Sequence, residues 1–148
     1  MMKTDMEIEE SIRKQAESLM AGKPTMADAI GIEFQLLSRD QVVATLPVTD
    51  RTVQPMRILH GGATVALAES VMSVGALLHL DSDDLTAVGL EINANHLKTV
   101  KEGGQITASA EPIHIGRKIH VWQTRITDQD GRLISISRCT LAIIPTER

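Results

Sequence analysis

The chain has 148 residues, 43% of them hydrophobic and 23% charged, with a formal net charge of −4 at pH 7. That length fits one domain with a sizeable core, and the acidic balance excludes a broad basic footprint for nucleic acid or an anionic membrane surface. Phe34 and Trp122 are the only Phe, Trp or Tyr residues, so base-stacking platforms are excluded too and the core must come from Ile, Leu, Val, Ala and Met.

Residues 5–20, DMEIEESIRKQAESLM, place Ile8, Ile12 and Leu19 near one helical face with charges elsewhere, which predicts a helix. Gly22 and Pro24 end it, so residues 1–24 read as an N-terminal helical extension and 25–148 as the single main domain. Thr25 caps a short second helix that runs to Ile30 and closes at Gly31. Residues 32–38 and 41–48 predict a strand pair turning at Arg39-Asp40, and Pro55 with its polar neighbours makes 49–59 a loop. A long helix follows from Gly61 to about His79, apolar nearly all round and therefore expected to be buried. It stops before the turn cluster Asp81-Ser82-Asp83-Asp84.

Strands complete the chain. Residues 86–97 alternate, with Val88, Leu90, Ile92 and Ala94 on one face and Gly89, Glu91, Asn93 and Asn95 on the other. Residues 105–115 follow Gly103-Gly104, and 118–127 joins 133–144 through DQDGR, whose Asp-Gly favours a hairpin. Grouped helices and strands, without regular alternation, predict an α+β fold with an antiparallel sheet. The small residues of the long helix, among them Ala66, Ser70, Ser73 and Gly75, would let such a sheet curl closely around it.

Cys139 is the only cysteine, which excludes an intrachain disulfide and fits a reducing compartment. The first residues, MMKTDMEIEESIRK, carry acids where a secretory signal carries its apolar stretch, so a cytoplasmic location is expected. The run 61–80 is long enough to span a bilayer, but Glu69, three glycines and two serines argue against a membrane. No G-x-S-x-G, HExxH, P-loop or GxGxxG motif is present. The five histidines share no compact metal-ligand spacing with cysteines or acids, so no metal site is expected.

What remains is one helix and the loop before it. Glu69 is the only residue of the run 61–80 certain to be charged, and a buried carboxylate is costly unless paired or neutralised. Apolar surroundings suit a carboxylate to general-base or nucleophilic work; a structural glutamate held by Ser73 or a backbone donor is the alternative. His60-Gly61-Gly62 offers free backbone N–H groups at a helix N-terminus, suited to an anion or a polarised carbonyl, or equally to tight packing against a strand. Eight helical residues put the Gly61 and Glu69 α-carbons about 12 Å apart. One helix therefore cannot bring both to the same carbon, whereas two antiparallel copies across a two-fold axis can.

Gln54-Pro55, Leu59-His60-Gly61-Gly62-Ala63, Leu67-Ala68-Glu69-Ser70 and Ser73 together resemble the hotdog-fold acyl-CoA thioesterases. The branch they resemble holds the phenylacetate-degradation, 4-hydroxybenzoyl-CoA and 1,4-dihydroxy-2-naphthoyl-CoA thioesterases. The similarity continues through VGLEINANH, EPIHIGRKIHVWQ and DGRLISISR, over roughly residues 26–144. It implies a curved antiparallel sheet wrapped around the long helix, homodimers or dimers of dimers with the site at the dimer interface, and hydrolysis of an acyl-CoA thioester without metal or cofactor. Carried over, Glu69 is the catalytic carboxylate, as nucleophile or base, and Gly61 donates its N–H to the thioester oxygen. Gln54 and His60 orient the thioester, and Ser73 positions water or the carboxylate. Arg117 and Lys118 after Gly116, with Lys98 and His96, would meet the CoA phosphates. Gly62, Val88, Gly89 and Leu90 would border the substrate, Gly89 leaving room for an acyl group.

One departure stands out. Family members commonly carry an apolar residue and then glycine after Gln-Pro, where this chain has Met56-Arg57. Two other functions share the resemblance: a hotdog hydratase or dehydratase, and a non-catalytic acyl-CoA binder. Retention of both Glu69 and Gln54 speaks against the binder.

Overall fold

The computed structural model describes residues 6–147; the first five residues and Arg148 lie outside the described residues, and with them Asp5 at the start of the expected first helix. In chain order the elements are β1 (Glu7–Ile8), a 3-10 turn (Glu10–Ile12), α1 (Arg13–Met20), α2 (Met26–Ile30), β2 (Glu33–Leu37) and β3 (Val42–Pro47). Then come α3 (Gly61–Leu77), β4 (Leu85–His96), β5 (Gln105–Ile115), β6 (Ile119–Asp128) and β7 (Leu133–Pro145). The strands form one sheet in the order β1-β2-β3-β5-β6-β7-β4. Every pairing is antiparallel except that of β1 with β2.

The sheet wraps α3, which touches β3, β4, β5, β6 and β7. Leu67, Ala68, Val71, Met72 and Ala76 of the helix are fully buried, against Leu46, Ile106, Trp122, Ile126 and Leu141 of the strands. Each large side chain so buried contributes about 1.5–3 kcal/mol. Gly75 is required by this packing, because a Cβ there would stand 2.5 Å from the Trp122 ring. The far end of α3 is closed by α1: Gln15 Nε2 donates to the carbonyls of Leu77, which also accepts from the Leu80 N–H, and of Leu80 just beyond the helix, at 2.8 and 2.9 Å. Among the described residues no helix is long and apolar enough to cross a membrane.

Three expectations need correction. The helix predicted over residues 5–20 begins only at Arg13. Before it, Glu7 and Ile8 pair with Leu36 and Leu37, and the Glu9 N–H donates to Leu37 O at 2.9 Å. Those residues cover the free edge of β2, a tertiary demand that outweighs their helical spacing. The alternation over 86–97 is broken by a bulge at Leu90, between Gly89 and Glu91. One extra residue turns the pattern over, so Gly89 faces α3 while Val88 and Leu90 are 38% and 60% exposed. Finally, α3 is buried on one side only: Ala63, Ala66, Glu69, Ser70 and Ser73 are half-buried in the single chain.

Candidate active site

The loop before α3 is a tight hairpin. Val53 bridges Leu59, the Gln54 N–H donates to Ile58 O at 2.9 Å, and the Arg57 N–H donates to Gln54 O at 2.9 Å. Inside it, Gln54 Oε1 accepts from the Met56 N–H, which leaves Nε2 as the amide's free donor, with no acceptor among the described residues. Arg57 has φ +59°, the left-handed region that glycine favours. The departure from the family pattern thus falls where the backbone wants glycine, and the Arg57 guanidinium forms a two-bond ion pair with Glu102.

At the start of α3 most donors are occupied. The Gly62 N–H donates to His60 Nδ1 at 2.8 Å, and the Ala63 and Thr64 N–H groups donate to His60 O at 3.0 and 3.2 Å. The Gly61 N–H has no acceptor among the described residues. Acceptance at Nδ1 requires the His60 tautomer whose proton sits on Nε2. A Cβ on Gly61 would lie 3.0 Å from His96 Nε2, so the imidazole rests directly on the helix start. A groove of about 620 Å³ passes these groups and is lined by Gly61, His96, Lys98, Thr99 and Arg132.

Glu69 lies two turns further along α3. It is half-buried, and its carboxylate has no hydrogen bond or ion pair among the described residues. A Cβ on Gly89 would stand 2.7 Å from Glu69 Oε1, so the room expected for an acyl group beside Gly89 is taken by the carboxylate. Behind it, Cys139 is fully buried; burial first, then the charges of Glu69 and Glu91, push its thiol up to about 11. That thiol is protonated at neutral pH and no nucleophile. Ser73, one turn beyond Glu69, is half-buried, and its hydroxyl has no hydrogen bond among the described residues.

Gly116, Arg117 and Lys118 sit in the turn from β5 to β6, where the Gly116 N–H donates to Ile119 O at 2.9 Å. Gly116 is there for space, since a Cβ would meet His114 Nε2 at 2.6 Å. Ile119 pairs with Ala142, which pairs with Val88, whereas His96 pairs with Ser135 at the other end of β4. Eight strand residues, roughly 26 Å, separate Val88 from His96. The expected residues therefore fall into two groups within one chain. Gln54, His60, Gly61, Gly62, His96 and Lys98 gather at the start of α3, and Glu69, Ser73, Val88, Gly89, Leu90, Gly116, Arg117 and Lys118 lie away from it.

Sequence reasoning missed Arg132, which joins the first group. Its guanidinium is held by Asp128 at 2.8 Å and Asp130 at 3.2 Å. Burial pushes the Asp128 carboxyl up, but hydrogen bonds from the Arg132 N–H and guanidinium and from the Asp130 N–H outweigh it and leave the group below its ordinary value. The available signal was the Asp-Gly-Arg turn at 130–132, read only as a hairpin.

Residues 56–135 match the family model described as the thioesterase superfamily. ComA2 of Bacillus subtilis (strain 168) is 54% identical over 122 residues, 82% of this chain and 96% of its own length. The 1,4-dihydroxy-2-naphthoyl-CoA hydrolase of Listeria monocytogenes (serotype 1/2a, strain 10403S) is 45% identical, over 80% of this chain and 94% of its own. Among solved structures, a mutant of thioesterase PA1618 from Pseudomonas aeruginosa aligns with a TM-score of 0.81 at 39% identity, covering 90% of this chain and 94% of that one. The chain belongs to the thioesterase superfamily, has its hotdog fold, and is a thioester hydrolase.

Proposed function

We propose that this enzyme hydrolyses an aromatic acyl-CoA to the free acid and CoA, in a site assembled from two copies of the chain. The observation that carries the reading is the unpartnered Glu69 carboxylate seated against Gly89 on the open side of α3. Its complement is the unengaged Gly61 N–H, about 12 Å away along the same helix. Antiparallel pairing of α3 with a second copy would bring Gly61 of one chain to Glu69 of the other. The edge strand β4 supports that pairing: its only strand partner among the described residues is β7, and a long edge with exposed Val88 and Leu90 calls for a cover. Two such dimers would make the dimer of dimers.

In that site the thioester oxygen accepts from the Gly61 N–H, where the positive helix end stabilises the forming oxyanion. Gln54 Nε2 and His60 orient the same thioester, and Gly62 keeps its approach open. Glu69 of the second copy either takes a proton from the attacking water or attacks the carbonyl carbon itself, giving a mixed anhydride that water then cleaves. On both routes the C–S bond breaks and the CoA thiolate leaves and is protonated. Ser73 holds the water or the carboxylate. His96, Lys98 and Arg132 meet CoA phosphates from one side, and Arg117 and Lys118 after Gly116 meet them from the other. The backbone of Val88, Gly89 and Leu90 borders the acyl group. Relatives named 1,4-dihydroxy-2-naphthoyl-CoA hydrolase support an aromatic substrate, and a CoA ester fits a cytoplasmic enzyme.

The test is thiol release from a panel of aryl and aliphatic acyl-CoAs by wild type and Glu69→Gln. Loss of a general base or nucleophile should lower kcat by about two to four orders of magnitude, with fold and binding intact. Turnover by Glu69→Gln equal to wild type would sink the assignment. Consumption of an enoyl-CoA without thiol release would point to a hydratase, and stabilisation by acyl-CoA without turnover to a binder.

A further inference from the structure

We infer that Arg57 is a positioning residue, and that its ion pair with Glu102 holds the hairpin that aims Gln54. The inference rests on the proposed contact of Gln54 with the thioester. Pro55, Met56 and Arg57 form a three-residue hairpin loop closed by Gln54 and Ile58. Such loops take a left-handed third residue, normally glycine, because an L side chain there crowds its own backbone. Arg57 occupies that place at φ +59°.

The conformation is held from outside the loop. Arg57 Nε donates to Glu102 Oε2 at 2.8 Å, and a terminal guanidinium nitrogen donates to Oε1. The Glu102 N–H returns a bond to Arg57 O at 3.2 Å, and Ile58 bridges Lys101 next door. Glu102 is thus tied to Arg57 by main chain and side chain together, which fixes the geometry of the pair. An exposed ion pair usually contributes little to stability; this one sits on the residue whose backbone sets the turn. If the pair is lost, Arg57 is free to leave the left-handed region. The Met56 N–H then moves away from Gln54 Oε1, and the Nε2 donor loses its aim. Relatives with glycine at this position would need no such clamp.

The experiment measures kcat, KM and melting temperature for Glu102→Gln, Arg57→Gly, the double variant and Gln54→Ala on the best acyl-CoA of the panel. Glu102→Gln should lower kcat about three- to tenfold through misalignment, with KM little changed and the fold retained. Placing Arg57→Gly on Glu102→Gln should restore kcat, because glycine holds the turn unaided. An unchanged kcat in Glu102→Gln, or no rescue in the double variant, overturns the inference while leaving the proposed function standing. A rise in KM confined to acidic acyl groups on Arg57→Gly alone also overturns it, in favour of direct contact with substrate. Full turnover by Gln54→Ala removes the role of Gln54 itself and the inference with it.

Discussion

A single methyl group at position 89 is the smallest change that reaches Glu69 without altering its chemistry. The Cβ of an alanine there would stand 2.7 Å from Oε1 and 3.9 Å from Cδ, against the flexible end of the side chain. The carboxylate can swing away at little cost in stability, but it then leaves its place on the open face of α3. Gly89→Ala is therefore expected to lower turnover about 10–100-fold, since misplacement by an ångström carries that penalty. In a Glu69→Asp background, where the shorter side chain withdraws from the methyl, the same alanine should cost less than about threefold. Equal losses in the two backgrounds, read as kcat/KM in a double-mutant cycle, would show that the contact does not matter. A glycine first read as room for substrate thus becomes room for the Glu69 carboxylate, a difference no sequence pattern could reveal, because the bulge at Leu90 decides which way residue 89 faces.

The joint between α1 and the end of α3 sets the next scale. Gln15 supplies two hydrogen bonds to carbonyls at and just beyond the end of α3. At about 1 kcal/mol each, their loss in Gln15→Ala should lower the melting temperature by about 4–8 °C for a chain of this size, with kcat unchanged. An unchanged melting temperature would mean that water replaces them. Beside this joint, His120 of β6 is 2% exposed, its Nδ1 is unpartnered, and its ring stands edge-on to His79 at 6.1 Å. Burial first, then the nearby His79, lowers its pKa below the ordinary 6.5; the Gly116 backbone opposes them in part, and His114 adds the least. The unfolded imidazole takes up a proton as pH falls through 6.5 while the folded one resists, so the stabilisation is complete above that value and is lost below it. Melting temperatures should fall as pH drops from about 7.5 to 5.5, and less steeply in His120→Asn; identical slopes would exclude His120 as the cause. These elements also show what was legible. The spacing in 61–80 and the strand runs of 105–144 carry their structure locally, so α3, β5, β6 and β7 fall within a few residues of expectation. By contrast, β1 exists only because β2 has an edge to cover, and Arg132 nears His96 and Lys98 only through the folding of β7 beside β4. Neither leaves a periodic trace.

At the scale of the whole molecule, the two groups of site residues make a prediction that one chain alone cannot satisfy. Gly61 is the first residue of α3, and His60 before it already has φ −73° and ψ 130°, the extended backbone that proline requires of its predecessor. Proline is favoured at a first helical position and has no N–H. Gly61→Pro thus removes the proposed donor while keeping the helix, at the cost of a small shift of the His96 ring, which stands 3.0 Å from the new Cβ. Gly61→Pro and Glu69→Gln should each be inactive as homodimers. A heterodimer of the two has one site with both Gly61 and Glu69 intact, taken from different chains, and one site lacking both. Equal amounts, unfolded and refolded together, should then recover about a quarter of wild-type activity, since half the dimers are mixed and each has one working site. If Gly61 and Glu69 served the same site within one chain, no mixture would recover anything. Size-exclusion chromatography must show dimers in the mixture for that silence to count. Recovery would tie the open face of α3, the uncovered edge of β4 and the unpartnered Glu69 to one cause, a catalytic centre that exists only between two copies.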